Sequence, residues 1–162
     1  MLNDIYKFYL TSYDSETDPS LNEGSTIFRT FWTNRKGQQE YDVIISRLIN
    51  LFQEEQDEGE EDEYGALFPT RYAQDRALSL ITQTYHLVGN LFTRAAVTTS
   101  FEGGLRIQWI RPHASVRLVI AANEGGQEYI YFEAGDEYDT EDVSPHNLAN
   151  RLVWLQRSAT HA

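Results

Sequence analysis

The chain of 162 residues can bury one ordinary hydrophobic core, and an aromatic content of 13% excludes wholesale disorder. It contains no cysteine, which excludes a disulfide framework, a thiolate metal site and a cysteine nucleophile. The formal net charge of −12 disfavours direct binding to nucleic acid, whose phosphates require a basic surface, and favours a more basic protein partner.

The sequence also lacks the features of a membrane or secreted protein. No run of about 18 apolar residues occurs, which a spanning helix would need. The N-terminus has neither the basic nor the apolar segment of a secretory signal. We therefore expect a soluble cytoplasmic protein without a membrane partner.

The N-terminal third predicts a helical extension over residues 1–53. Residues 2–10 have apolar side chains at helical spacing, whereas 26–32 fit a short helix or a strand equally well, and 34–37 end that run. From Glu40 onward a longer helix is predicted by side chains that share one face. These are Tyr41, Ile44, Ile45, Leu48 and Phe52.

An acidic linker is predicted over residues 54–65, because eight of the ten residues 54–63 are acidic and carry no apolar stripe. We place the domain boundary there and expect a core domain over 66–158. Its first element is a long helix that Thr70 caps and that Gly89-Asn90 ends. The predicted inner face of this helix consists of Ala73, Ala77, Leu80, Ile81, Thr84, Val88 and Leu91.

Residues 94–134 then alternate apolar and polar side chains in four short runs separated by turns, which predicts an antiparallel meander. Its inward residues are expected to be Leu105, Ile107, Trp109, Val116, Leu118 and Ile120. The aromatic cluster Tyr129, Tyr131 and Phe132 is also assigned mainly to the core. The acidic run 133–142 is interpreted as an exposed loop.

The last helix is predicted to begin at Ser144-Pro145, with serine as the cap, and to bury Leu148, Leu152 and Leu155. The fold class is therefore α+β: a four-stranded antiparallel meander sheet, packed on one face by two helices in the order α-β-β-β-β-α, preceded by the helical extension.

The opposite face of this sheet carries Arg106 and Arg117, for which two interpretations remain open. They contribute to a binding face, or they pair with the acidic segments and solvent as polar residues of an open sheet ordinarily do. A divalent metal is a further alternative for the segment 136–146, through Asp136, Glu137, Glu141, Asp142 and His146. That segment lacks the spacing of an EF-hand, so no metal or other cofactor is predicted.

No motif of a catalytic site is present, so no catalytic residue is predicted and the protein is expected not to be an enzyme. The leading hypothesis is a non-enzymatic protein-binding or regulatory module that inhibits a more basic partner, like an antitoxin, immunity or anti-defence protein. The alternatives are a metal-dependent hydrolase or regulator and a nucleic-acid-mimicking inhibitor; a homodimer also remains open. The predicted binding residues are Tyr6, Tyr9, Phe28, Phe31, Trp32, Glu58, Glu61, Asp62, Arg106 and Arg117.

Overall fold

The computed structural model describes residues 36–51 and 68–158, and these form three α-helices and a five-stranded antiparallel sheet. Helix α1 covers residues 36–51, α2 covers Arg71–Val88 and α3 covers Pro145–Ser158. A short 3-10 turn, Gly89–Leu91, follows α2. The strands are β1 Ala96–Thr99, β2 Leu105–Arg111, β3 Ala114–Ile120, β4 Tyr129–Ala134 and β5 Glu137–Glu141.

The sheet is a meander in which each strand pairs with the next along the chain, in the order β1-β2-β3-β4-β5. This confirms the α+β class and the antiparallel sheet predicted from the sequence. The expected count of four strands was wrong, because part of the acidic run 133–142 forms β5 instead of an exposed loop. Gly135, at φ +60°, provides the left-handed residue of the two-residue turn between β4 and β5.

Helix α2 has the predicted cap, since the Thr70 hydroxyl accepts a hydrogen bond of 3.2 Å from the backbone N–H of Ala73. Gly89 ends the helix at φ +52°, a conformation that disfavours residues with a Cβ atom. Leu91 was wrongly assigned to the inner face. Because it lies in the 3-10 turn beyond the helix, its direction no longer follows the helical period, and it is 46% exposed.

The core lies between one face of the sheet and the helices. All six predicted inward residues of β2 and β3 are buried, as are Leu148, Leu152 and Leu155 of α3. The side chain of Ser144 accepts a 3.0 Å hydrogen bond from the N–H of Asn147 and so caps α3 as predicted. Trp109 is fully buried, and its indole N–H donates to the carbonyl oxygen of Thr93 at 3.0 Å.

Helix α1 contributes Ile44, Leu48 and Leu51 to the same hydrophobic core. The helix is already formed at residue 36, before the predicted start at Glu40, and it includes Gly37. A Cβ atom at Gly37 would lie 2.5 Å from the carbonyl oxygen of Gly89, so the glycine allows α1 to approach the end of α2 closely.

The predicted linker 54–65 lies outside the described residues, so the domain boundary placed there stays a prediction. Within the described residues, no helix has the length and apolar character needed to cross a membrane.

Candidate protein-binding surface

The face of the sheet opposite the helices, which we call the open face, presents alternate residues of the strands. On β2 it carries Arg106, Gln108 and Ile110, which alternate with the buried residues of that strand. The register places Gln108 opposite Arg117 and places Ile110 opposite Ser115. No helix in the described part of the chain packs on this face, because their contacts with the sheet are made through its buried side.

A hydrogen-bonded network lies on the open face, next to the turns that join β2 to β3 and β4 to β5. The hydroxyl of Ser115 donates to Oε1 of Glu133 at 2.8 Å, and the hydroxyl of Tyr131 donates to Oε2 of the same carboxylate at 2.9 Å. Ser115 is only 4% exposed although it faces away from the helices. Both carboxylate oxygens thus have fixed donors on β3 and β4, which holds Glu133 in one position.

The network shifts the acidity of its members. The hydrogen bonds from Ser115 and then Tyr131 stabilise the charged carboxylate and lower the pKa of Glu133, and the charge of Arg117 acts in the same direction. The pKa of the Tyr131 hydroxyl is raised, chiefly because it donates to Glu133 and secondly because of its partial burial. At neutral pH the network therefore holds an ionised glutamate and a neutral tyrosine.

Aromatic contacts extend this network towards the edge of the sheet. The guanidinium carbon of Arg117 lies 5.4 Å from the centre of the Tyr131 ring, a cation–π distance. Tyr131 in turn stacks on Tyr138 of β5, with ring centres 6.2 Å apart. These contacts place a cation and two tyrosines side by side across three strands, so their rings are partly ordered before any partner binds.

Two large apolar side chains are exposed on this face. Ile110 is 64% exposed on β2 and Tyr138 is 73% exposed on β5. Both lie in the register row that also contains Ser115 and Glu133. Tyrosine and arginine are enriched among the residues that dominate binding energy at protein interfaces. The open face thus combines exposed apolar area with ordered polar groups.

The two predicted arginines lie on this open face. Arg106 is exposed and pairs in register with Val119, whereas Arg117 is half-buried beside Tyr131. Their role in binding stays a prediction. The remaining predicted binding residues lie outside the described part of the chain: Tyr6, Tyr9, Phe28, Phe31, Trp32, Glu58, Glu61 and Asp62.

Sequence reasoning did not identify the network residues Ser115, Glu133 and Tyr131 or the neighbouring Tyr138 as parts of one surface. Tyr131 was assigned to the core with its neighbour Phe132, but alternation along β4 places them on opposite faces. The ring of Phe132 instead faces the helices and contacts Trp154 of α3 with a centre distance of 5.7 Å. Tyr138 was missed because its strand was interpreted as a loop.

The acidic segment proposed for a metal is arranged differently from a metal site. Glu141 pairs with Arg151 of α3, whose guanidinium carbon lies 3.6 Å from the centre of the Phe132 ring. Within the described residues no group of three or more His, Cys, Asp or Glu side chains is placed to hold a metal ion. What the segment does is extend the sheet and anchor its edge to α3.

Comparison of the chain with known protein families, with curated proteins and with solved structures gives no match.

Proposed function

We propose that this chain is a non-enzymatic protein-binding or regulatory module that acts on a more basic protein, in the way of an antitoxin, an immunity protein or an anti-defence inhibitor. The observation that supports this proposal is the open face. Ile110 and Tyr138 are exposed there beside the ordered network of Ser115, Glu133 and Tyr131. Such a surface suits a partner that buries apolar area around fixed polar groups.

The charge of the chain supports the choice of a basic partner. The whole sequence has a formal net charge of −12, and five of the seven residues 136–142, in and around the edge strand β5, are acidic. Complementary charge accelerates encounter with a basic protein and disfavours acidic competitors. The proposal therefore assigns apolar contact to the open face and selection of the partner to the acidic edge strand β5 and its flanking residues.

Capture of the partner tests the proposal. The tagged full-length chain is expressed in the cells that produce it naturally, purified at low salt, and its bound proteins are identified by mass spectrometry. The expected result is a stoichiometric partner that is more basic than this chain. A chain that stays alone at high concentration and low salt would contradict the proposal.

A matched pair of variants locates the binding surface. Ile110→Glu places a charge on the open face, whereas Leu87→Glu places the same charge at a residue of α2 that is 49% exposed. Both variants are checked for folding by circular dichroism. Loss of the captured partner in the Ile110 variant alone supports the open face; equal capture by both variants removes it as the binding surface.

A further inference from the structure

Strand β5 forms one edge of the sheet and pairs only with β4 among the described residues. The turn of Gly135 and Asp136 closes on the pair Ala134 and Glu137, so the hydrogen-bonded pairs are those at residues 137, 139 and 141. The backbone N–H and C=O groups of Tyr138 and Thr140 therefore point away from the sheet. Such an edge is a template for a further strand.

The two edges of the sheet differ in their chemistry. Strand β1 has the neutral sequence Ala-Val-Thr-Thr, whereas β5 reads Glu-Tyr-Asp-Thr-Glu. The register places Glu137 and Asp139 on the side of the sheet that carries the helices, and places Tyr138 and Thr140 on the open face. A strand added at β5 would therefore meet carboxylates on one of its faces and an exposed tyrosine ring on the other.

One of the outward backbone groups is already occupied by a side chain. The N–H of Thr140 donates to Oδ1 of Asp139 at 2.7 Å. A strand that pairs with β5 must supply a carbonyl oxygen to this N–H, which releases the Asp139 carboxylate. A cationic side chain on the incoming strand then provides a new partner for that carboxylate, and a neutral or acidic strand provides none.

A second copy of this chain is a poor occupant of the edge. Pairing two β5 strands would bring the carboxylates of Glu137 and Asp139 from both copies onto one face, where like charges destabilise cross-strand pairs. The third carboxylate of β5, that of Glu141, is paired with Arg151 of α3. The charge of the edge thus opposes self-pairing and complements a basic strand.

From these observations we infer that β5 accepts an extended basic segment of a partner protein by strand addition. Basic side chains of that segment face Glu137 and Asp139, and alternate apolar side chains pack beside Tyr138. This inference rests on the proposed function, since it names the binding mode and the partner chemistry for a surface that adjoins the open face. The main-chain hydrogen bonds hold the segment, and the carboxylates select it.

A peptide titration tests the inference directly. The isotope-labelled full-length chain is titrated with an extended peptide of alternating lysine and valine, and separately with one of alternating glutamate and valine. We expect the lysine peptide alone to shift the amide signals of Tyr138 and Thr140 and to slow their hydrogen exchange. Raising the salt concentration should weaken the binding, because the charges involved are exposed.

Two substitutions on β5 separate backbone pairing from charge. Thr140→Pro removes the outward N–H without removing a hydrogen bond to β4, and we expect it to weaken peptide binding about tenfold. Its control is Thr99→Pro on β1, where the N–H also points outward because the adjacent Ser100 donates to the carbonyl of Gly104. The control should bind the lysine peptide as the wild type does.

Asp139→Asn keeps an acceptor for the Thr140 N–H but removes the charge. We expect it to weaken binding of the lysine peptide by up to about fivefold. Asp75→Asn on α2 changes the net charge equally at an exposed residue away from the sheet edge, and it should leave binding unchanged. This pair keeps the inference testable even if a proline variant fails to fold.

Several outcomes would overturn strand addition at β5. They are equal binding of both peptides, no binding of the lysine peptide at millimolar concentration, or signal changes confined to Ile110 and Val119. Self-association of the wild type that Thr140→Pro abolishes would identify a second copy as the occupant and would also overturn it. None of these results decides whether the chain binds a basic partner, which the capture experiment judges separately.

Discussion

The two faces of the sheet are built from neighbouring residues of the same strands, yet they differ in what surrounds each side chain. On β2, Trp109 is completely buried against the helices, whereas the next residue, Ile110, is 64% exposed. The buried face is held by apolar packing from α1, α2 and α3. The open face is instead held by hydrogen bonds and ring contacts. We expect changes on the first to affect stability and changes on the second to affect binding.

The largest effect is expected from Trp109→Ala. The substitution removes a fully buried ring, leaves a cavity and deletes the hydrogen bond to the carbonyl of Thr93. Its cost should be about 3–5 kcal/mol of the free energy of unfolding. Equilibrium denaturation of the full-length chain measures it. A cost below about 1 kcal/mol would show that the covered face contributes less than its burial indicates.

A smaller loss is expected from Gly37→Ala in α1. Helix propensity alone would make alanine about 1 kcal/mol more favourable than glycine in a helix interior. However, the added Cβ would lie 2.5 Å from the carbonyl of Gly89 and 2.8 Å from Cα of Asn90, so either α1 or the 3-10 turn that follows α2 must shift. Overpacking of this kind costs about 1–3 kcal/mol, and we expect a net destabilisation.

The control for Gly37→Ala is Gln39→Ala, an exposed residue of the same helix where propensity should dominate. Chemical denaturation of both variants gives the comparison. If Gly37→Ala stabilises the protein as much as Gln39→Ala does, the added Cβ does not clash with the end of α2. The close contact between the two backbones at Gly37 would then be contradicted.

Most of the covered face could be predicted from the sequence because alternation and helical spacing directly encode burial. The strands β1 to β4 and the caps at Thr70 and Ser144 follow from local pattern. Strand β5 was missed because its inward residues are acidic, and an apolar alternation is the usual signal of a strand. A two-residue turn followed by Tyr138 and Thr140, both good strand formers, was the available signal.

The open face was harder to predict, because its network depends on cross-strand register. Alternation placed Arg106 and Arg117 on the face away from the helices. It could not show that Ser115 lies opposite Glu133, since the lengths and hydrogen bonding of the turns decide that pairing. Polar side chains on a strand can all be solvated, and only the paired arrangement shows which of them bind one another.

The pH dependence of stability should report this network. The lowered pKa of Glu133 is due first to the hydrogen bond from Ser115 and then to that from Tyr131. At pH values between the folded pKa of Glu133 and its unfolded pKa of about 4.3, the unfolded chain binds more protons than the folded one. The stabilisation is therefore complete above the unfolded pKa and is lost as the pH falls through the folded pKa.

Glu133→Gln should remove that part of the acid dependence. Thermal unfolding measured from neutral pH to about pH 3 should show a smaller decrease in the variant than in the wild type. The control is Glu102→Gln, an exposed residue of the turn between β1 and β2. Identical slopes for the wild type and Glu133→Gln would mean that the hydrogen bonds to this carboxylate do not favour its charged form in solution.

The smallest effect on stability is expected from Ile110→Thr. Threonine keeps the branched Cβ that suits a strand, and Ile110 buries little apolar surface when the chain folds. The free energy of unfolding should therefore change by less than about 0.5 kcal/mol. Ile107→Thr makes the same chemical change at a fully buried residue of β2 and should cost several times more, because the hydroxyl enters the core. Parallel denaturation curves provide the comparison.

A large loss of stability from Ile110→Thr would mean that the exposed isoleucine is needed for folding, and its exposure would then no longer support a role in binding. Retained stability combined with weaker capture of the partner would separate the two faces by function as clearly as the structure separates them by burial.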